Sequence, residues 1–189
     1  ARLRNPCILK YIGYSPIDFN EEPKPVIVTQ YYKYGSLERI INLSRLELAP
    51  KFWNDTKKLI NIYGIASAMK YLHSRNIIHR DLKSANILED DNFFPKVADF
   101  GLSKIYNQNI ESMTSQSTIG IKGTRIYIAP EIYTTNFEYT KAVDVYSFAF
   151  IVYQLFEFDE PFKKYDFETF YIKVIVGGER PEFKYMIPS

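Results

Sequence analysis

The sequence predicts an α+β fold, in which a short β-rich part at the amino end precedes a longer, mainly helical part. Two runs rich in β-branched and aromatic residues, Ile8 to Tyr14 and Val26 to Thr29, flank a loop that contains Pro23 and Pro25. Between Asn54 and Arg75 the apolar residues recur instead at helical spacing. Strand signals therefore come first and helix signals dominate later in the chain, a combination typical of α+β proteins.

The segment from Gln30 to Leu37 predicts a connector that ends in a helix, with Ser36 as the N-cap. The next helix should be a scaffold whose carboxyl end is favoured by His73 and Arg75. Its buried stripe is expected to consist of Leu59, Ile62, Tyr63, Ala66, Met69 and Leu72.

Two short strands are predicted next, at Ile87 and Leu88 and from Pro95 to Ala98. They enclose the acidic turn Glu89 to Asn92, which we expect to be solvated. The longest apolar stretch, Phe148 to Tyr153, reads as a buried helix and is far shorter than the roughly 20 residues of a membrane span.

Composition agrees with one globular domain, because 189 residues with 46% hydrophobic content can bury a sizeable core. The net charge is only +2 and the sequence has no long run of Lys and Arg, so its charge pattern does not indicate nucleic-acid binding. Cys7 is the single cysteine, which excludes an intrachain disulfide and fits a reducing, cytoplasmic compartment. The chain opens with no signal peptide.

Four motifs follow one another in the second part of the chain. His79 to Asn86 reads H-R-D-L-K-S-A-N, and D-F-G begins thirteen positions later at Asp99. Gly123 to Glu131 reads G-T-R-I-Y-I-A-P-E, and Asp144 to Phe148 reads D-V-Y-S-F. In this order the motifs resemble the catalytic loop, the magnesium loop, the end of the activation segment and the central helix of a protein kinase. An ordered set is far more specific than a lone tripeptide.

The resemblance implies a protein kinase-like bilobal fold, mostly the helical large lobe with a remnant of the β-rich small lobe. Residues 1–29 would end the small lobe, 30–36 would form the hinge, and 37–189 would form the large lobe without its final helices. No Gly-rich phosphate loop or V-A-I-K lysine precedes these segments in the sequence. We therefore expect a single incomplete domain, and negligible activity from residues 1–189 alone.

The resemblance also implies the chemistry of the site. Asp81 would accept or orient the proton of the attacking hydroxyl, and Lys83 would contact the transferring phosphate of ATP. Asn86 and Asp99 would hold Mg²⁺ through hard oxygen ligands. His79 would only pack against the phenylalanine of the magnesium loop.

The hinge would bind adenine through the peptide groups of Gln30 and Tyr32. Thr29 falls at the gatekeeper position and Leu88 would form the floor under the adenine. Two acidic residues would have architectural roles. Asp144 would hold the backbone of the catalytic loop, and Glu131 would pair with an arginine near the end of a complete domain. Because this sequence lacks the closing helices and that arginine, Glu131 is expected to be unpaired here.

Lys83 and Thr124 resemble the serine/threonine-specific class of kinases. The Ser84 to Asn86 sequence and Gly178 to Pro181 resemble the tyrosine-kinase-like group of that class. The expected partners are a protein substrate with a Ser or Thr acceptor and an upstream activating kinase. A dual-specificity or tyrosine kinase remains an alternative, as does a pseudokinase scaffold that binds partners without transferring phosphate.

Regulation is also expected, because Arg80 directly precedes Asp81, as it does in kinases whose activation segment is ordered by a phosphate that pairs with this arginine. Six Ser and Thr side chains between Asp99 and Ile119 could be phosphorylated: Ser103, Ser112, Thr114, Ser115, Ser117 and Thr118. The hypothesis is that phosphorylation between Ser112 and Thr118 raises activity.

Overall fold

Short antiparallel strand pairs alternate with helices in the computed structural model, which describes residues 3–100, 104–105, 125–134, 137 and 139–185. The strands are β1 (Tyr11–Ser15), β2 (Val26–Thr29), β3 (Ile77–Ile78), β4 (Ile87–Glu89), β5 (Pro95–Val97) and β6 (Lys104–Ile105). The helices are α1 (Leu37–Arg45), α2 (Asp55–His73), α3 (Ala142–Glu157) and α4 (Phe167–Phe170). The predicted α+β class is confirmed.

Each strand pairs with one partner, β1 with β2, β3 with β6 and β4 with β5. The β1–β2 register runs from Tyr11 opposite Thr29 to Ser15 opposite Val26. β1 begins three residues later than the sequence predicts, because Ile8 is buried in a parallel bridge with Val97 of β5. This bridge joins the first β-rich part to the second part of the chain.

The predicted cap of α1 is present, and α2 has a cap that the sequence analysis did not name. The Ser36 side chain accepts the N–H of Arg39 at 3.3 Å, and the Asn54 side chain accepts the N–H of Lys57 at 3.1 Å. Each cap satisfies a backbone donor that the first helical turn leaves without a partner. Helix α1 therefore starts directly after the connector that joins it to β2.

The predicted buried stripe of α2 is wrong at three positions, because Leu59, Tyr63 and Ala66 are exposed. The buried face is rotated toward two polar residues, Lys58 and Asn61. It consists of Lys58, Asn61, Gly64, Ile65, Ala68, Met69 and Leu72. The prediction used only the apolar residues and therefore left Lys58 and Asn61 on the exposed face. In the structure, residues of other elements contact both side chains.

Lys58 shows how such a charge is stabilised in the interior. Its Nζ forms a 2.8 Å ion pair with Asp55 and lies 4.5 to 5.5 Å from the ring centroids of Phe156, Phe158 and Tyr185. A carboxylate and three ring faces replace the water that an exposed lysine would contact. The buried cation thus joins α2 to the end of α3.

Gly64 lies where α2 crosses β5. A Cβ at this position would come within 2.5 Å of Pro95 Cγ and 3.2 Å of Cys7 Sγ. We expect Gly64→Ala to lower the free energy of unfolding by about 1–3 kcal/mol, because the clash outweighs the better helix propensity of alanine. Urea unfolding would measure this change in the free energy of unfolding. Gly13→Ala is the control, since its Cβ would meet nothing within 4 Å, and equal stability of both variants would contradict the packing argument.

The two predicted strands around the acidic turn are present, and they pair with Ile87 opposite Val97 and Glu89 opposite Pro95. The expectation of a solvated turn is wrong for Glu89, which is fully buried. Its Oε2 lies 3.4 Å from Asn61 Nδ2, and Oε1 has no hydrogen-bond partner among the described residues. Burial therefore raises the pKa of the Glu89 carboxyl to about 8.

This carboxyl makes stability depend on pH. The unfolded chain loses the Glu89 proton near pH 4.5 and the folded chain near pH 8, so stability falls as pH rises between these values. We expect the unfolding free energy to drop by about 1–3 kcal/mol from pH 5 to pH 8, and Glu89→Gln to remove most of that drop. Denaturant unfolding at several pH values tests this, with the exposed Glu182→Gln as control. An unchanged pH slope in Glu89→Gln would contradict it.

Helix α3 occupies the core, as the apolar run from Phe148 predicts. Ile151 and Leu155 are completely buried and pack in one cluster with Ile65 and Leu72 of α2. No helix in the described part of the chain is long and apolar enough to cross a membrane. The site residues lie in the loops that α2 and α3 support.

Candidate active site

Asp144 anchors the loop that contains Asp81. It lies near the amino end of α3, almost fully buried, and its Oδ2 and Oδ1 accept the N–H groups of His79 and Arg80, each at 2.9 Å. Oδ2 also lies 2.8 Å from His73 Nε2 at the end of α2. The predicted architectural role of Asp144 is confirmed, and the contact with His73 is one that the sequence analysis missed.

The backbone of this loop is unusual at Arg80, whose φ is +70°. A residue other than glycine in the left-handed region is strained, so surrounding contacts must hold it there. The bond to Asp144 holds the backbone, and the guanidinium lies 4.4 Å from the Tyr139 ring centroid. Arg80 Nε is buried with no hydrogen-bond partner among the described residues.

His79 has the packing role that was predicted. Its ring centroid lies 5.3 Å from that of Phe100, Nε2 is 2.9 Å from the Ala98 carbonyl, and Nδ1 accepts the N–H of Asp81 at 3.3 Å. An acceptor at Nδ1 and a donor at Nε2 define a neutral ring. Burial lowers the pKa of His79, which agrees with that state.

Two of the predicted site residues, Lys83 and Asn86, contact a third, Asp81. Lys83 Nζ lies 2.8 Å and 3.0 Å from the two carboxylate oxygens of Asp81. Asn86 Nδ2 donates to the Asp81 carbonyl at 2.8 Å and to Asp81 Oδ2 at 2.9 Å. The Asp81 and Lys83 side chains are each between a quarter and a third exposed, so the carboxylate is accessible from outside.

Asp99 is held next to this cluster by the backbone. Ala98 donates its N–H to the Asn86 carbonyl at 2.8 Å, and the exposed Asp99 follows with φ +60°. Since the Asn86 amide nitrogen is bound to Asp81, the amide oxygen is the atom left for a ligand. An amide oxygen and a carboxylate are ligand types that Mg²⁺ prefers.

The connector is tied to the same framework. Gln30 N–H donates to the Lys10 carbonyl at 3.1 Å, and the Tyr32 carbonyl accepts Gly35 N–H at 3.2 Å. The Gln30 carbonyl and Tyr32 N–H form no backbone hydrogen bond with other residues that the structure describes. One acceptor and one donor therefore remain, which is what the edge of an adenine requires.

Thr29 and Leu88 frame this connector. Thr29 is half-buried at the end of β2, and Leu88 forms an antiparallel bridge with Ser36. The Glu89 N–H also donates to the Gly35 carbonyl at 3.0 Å. Strand β4 begins directly after Asn86, so it joins the connector to the Asp81 cluster.

Sequence reasoning also missed a buried contact between Ser84, Tyr127 and Gln154. The motifs contain Ser84 and Tyr127, but nothing in the sequence pairs either residue with Gln154. Glu131 is half-buried and forms no ion pair among the described residues. Several residues named from the sequence lie outside the described ones: Gly101, Ser103, Ser112, Thr114, Ser115, Ser117, Thr118, Gly123 and Thr124.

Known proteins resemble this chain over nearly its whole length. The model of the protein kinase domain matches residues 1–180. The probable serine/threonine-protein kinase drkC of Dictyostelium discoideum is 34% identical over 182 residues, which are 95% of this chain and 22% of that protein. The serine/threonine-protein kinase CTR1 of Arabidopsis thaliana is 36% identical over 162 residues, 85% of this chain and 18% of that protein.

A third relative, the dual specificity protein kinase shkB of Dictyostelium discoideum, is 34% identical over 166 residues, 87% of this chain and 23% of that protein. The chain thus spans less than a quarter of the length of these relatives. The family in question generally uses ATP and Mg²⁺. The resemblance derived from the four motifs is confirmed, and the chain belongs to the protein kinase domain family.

Proposed function

We propose that the protein containing this chain is a serine/threonine protein kinase that transfers the γ-phosphoryl group of Mg-ATP to hydroxyls of protein substrates. The observation that carries this proposal is the accessible Asp81 carboxylate, which accepts hydrogen bonds from Lys83 at both oxygens and from Asn86 at Oδ2. A chain that only binds partners has no need for a carboxylate held in this way.

Each residue of the cluster has one task in the proposed reaction. The oxygen of the substrate hydroxyl bonds to the γ-phosphorus, the bond from that phosphorus to the bridging oxygen breaks, and ADP leaves. The hydroxyl proton passes to Asp81, which is a carboxylate in contact with the Lys83 ammonium. Lys83 also offsets negative charge on the group being transferred.

The residues present fit the metal that the family uses. Asn86 and Asp99 would hold Mg²⁺, whose remaining ligands would be water and phosphate oxygens. The metal would supply charge neutralisation at the phosphates. The Asn86 contact with Asp81 then couples the orientation of a metal ligand to that of the proton acceptor.

Adenine would bind at the connector, with the Gln30 carbonyl as acceptor and the Tyr32 N–H as donor. The bonds of Gln30 N–H to Lys10 and of the Tyr32 carbonyl to Gly35 support this assignment, because they hold the peptide groups on either side of the two that would bind adenine. Thr29 would leave room behind the adenine, and Leu88 would lie under it.

Specificity for Ser and Thr is supported by Lys83 and by the names of two relatives, drkC and CTR1. The name of shkB keeps dual specificity as the second candidate. The test is transfer from Mg-ATP to matched Ser, Thr and Tyr peptides by the full-length protein. Transfer to Ser and Thr peptides alone supports the proposal, transfer to all three favours dual specificity, and no transfer favours the pseudokinase alternative.

The proposal includes an intracellular protein substrate and an upstream kinase that acts between Ser112 and Thr118. We expect Glu substitutions at these hydroxyl residues to raise kcat and Ala substitutions to lower it, because added negative charge can pair with Arg80. Kinetics of both sets of variants measure this. The control is an Arg80→Gln background, in which the Glu substitutions should have no effect, and identical rates for all variants would overturn the hypothesis.

A further inference from the structure

Three buried side chains from three parts of the chain meet on the inner side of the Asp81 loop. Ser84 follows Lys83 in the loop, Tyr127 lies in the 3-10 turn Arg125–Tyr127, and Gln154 lies in α3. The exposed fractions are 1% for Ser84, 7% for Tyr127 and 8% for Gln154. We call these three residues the inner network.

The side-chain polar atoms of the inner network form hydrogen bonds with one another. The Ser84 and Tyr127 hydroxyl oxygens are 2.9 Å apart, Ser84 Oγ donates to Gln154 Oε1 at 3.2 Å, and the Tyr127 hydroxyl donates to the same oxygen. Ser84 N–H also points to the Tyr127 hydroxyl, at 3.4 Å. Removing one partner would leave buried polar groups unsatisfied, which is costly in the protein interior.

Tyr127 remains a hydrogen-bond donor under physiological conditions. Burial raises the pKa of its hydroxyl to about 12, with the bonds to Ser84 and Gln154 acting in the opposite direction. Gln154 offers a neutral acceptor, so the network carries no net charge. Its geometry should therefore be independent of pH across the neutral range.

The inner network gives the Asp81 loop a second attachment to α3. Asp144 of α3 holds the backbone just before Asp81, and Gln154 of the same helix holds Ser84 just after Lys83. The two anchors are ten residues, or about 15 Å, apart along the helix. Asp81 and Lys83 thus lie between two fixed points.

Tyr127 is itself fixed from its backbone side. Its carbonyl accepts the Ser147 hydroxyl at 2.7 Å, and Ser147 lies on α3 between the two anchors. The segment that leads into Ala129 and Pro130 is therefore attached to α3 by Ser147 and to the Asp81 loop by the Tyr127 side chain. A displacement of this segment would reach Ser84 directly.

We propose that Tyr127, Ser84 and Gln154 are positioning residues, which set Lys83 and Asn86 against Asp81 and make phosphoryl transfer depend on the placement of the segment around Tyr127. This rests on the proposed kinase function. All three residues are buried, so they would act through the loop. Their loss should lower kcat while the binding of ATP at the connector stays the same.

The test compares Tyr127→Phe and Gln154→Met with the unmodified full-length protein. We expect each variant to lower kcat by about tenfold, the equivalent of one buried hydrogen bond, with the KM for ATP within about twofold. Because the bond is shared, the double variant should lose little more than either single one. Gln154→Glu should restore kcat, since its carboxylate can accept both hydroxyls.

The matched control is Tyr133→Phe, because the Tyr133 hydroxyl is buried without a hydrogen-bond partner among the described residues. We expect no change in its kcat. Unchanged kcat in Tyr127→Phe and Gln154→Met, even with a lowered Tm, would make the network merely structural and overturn the proposal. Independent, multiplying losses in the double variant would overturn it as well.

Hydrogen exchange separates this proposal from the kinase function. We expect the amides from Ser84 to Asn86 to exchange at least about tenfold faster in Tyr127→Phe, and those from Gln30 to Gly35 to be unchanged. Unchanged exchange at Ser84 to Asn86 would overturn the positioning role whether or not the protein transfers phosphate. Absence of transfer by the unmodified protein, with faster exchange in the variant, would refute only the kinase function.

Discussion

Asp81→Asn should lower kcat for peptide phosphorylation by about 10²–10⁴-fold, the range expected when a positioned proton acceptor is lost. The substituted amide has the same shape, so the bond to Asn86 can persist through its oxygen. It cannot take the proton from the substrate hydroxyl, and it no longer neutralises the ammonium of Lys83 at 2.8 Å. Steady-state kinetics of the full-length protein with Mg-ATP and a Ser peptide measure this.

The KM for ATP should change little in this variant, because Gln30 and Tyr32 do not contact Asp81. Asp91→Asn is the matched control, since Asp91 is exposed and its ion pair with Lys33 lies at the surface. A kcat in Asp81→Asn equal to that of the unmodified protein would remove Asp81 as the proton acceptor. It would do so even if the protein remained an active kinase.

Asp144→Asn should have the largest effect on stability, a loss of about 2–4 kcal/mol in unfolding free energy. Asp144 is buried, and its two oxygens receive the N–H groups of His79 and Arg80 and the His73 ring nitrogen. An amide offers only one oxygen, so its NH₂ group would face a donor. Urea unfolding of the full-length protein, followed by a probe in this domain, measures the change.

The same variant should also reduce kcat, because Arg80 has φ +70° and depends on this contact to hold that conformation. Asp159→Asn serves as the control, since Asp159 is half-exposed and bound to Lys163 within the same surface turn. We expect that control to change stability by less than about 0.5 kcal/mol. Equal stability of the two variants would show that Asp144 does not anchor the loop.

Local sequence signals predicted the parts of the fold that local contacts determine. Ser36 caps α1 as predicted, because a side-chain oxygen three residues before a free N–H needs no tertiary partner. The spacing of Asp81, Lys83 and Asn86 likewise determines their contact, since all three lie within one loop. The role of Asp144 followed from its motif.

The remaining features depend on contacts between distant segments. Lys58, Asn61 and Glu89 look like surface residues by type, and only the approach of α2 to β4 and α3 buries them. In the sequence, Gln154 is one polar residue in an apolar helix. Only the structure shows that Tyr127 and Ser84 both donate hydrogen bonds to its side-chain oxygen. Polarity in the sequence does not reveal which polar residues will find partners inside.

The two anchors on α3 have a mechanical consequence. Because both ends of the Asp81 loop are attached to α3, the loop should move together with this helix. Thermal displacement of α3 against α2 should therefore leave the distance between Asp81 and Lys83 almost unchanged. Bending of α3 between Asp144 and Gln154 would instead change the span of the loop. The straightness of this helix, more than its position, would then limit how accurately the reacting groups are aligned.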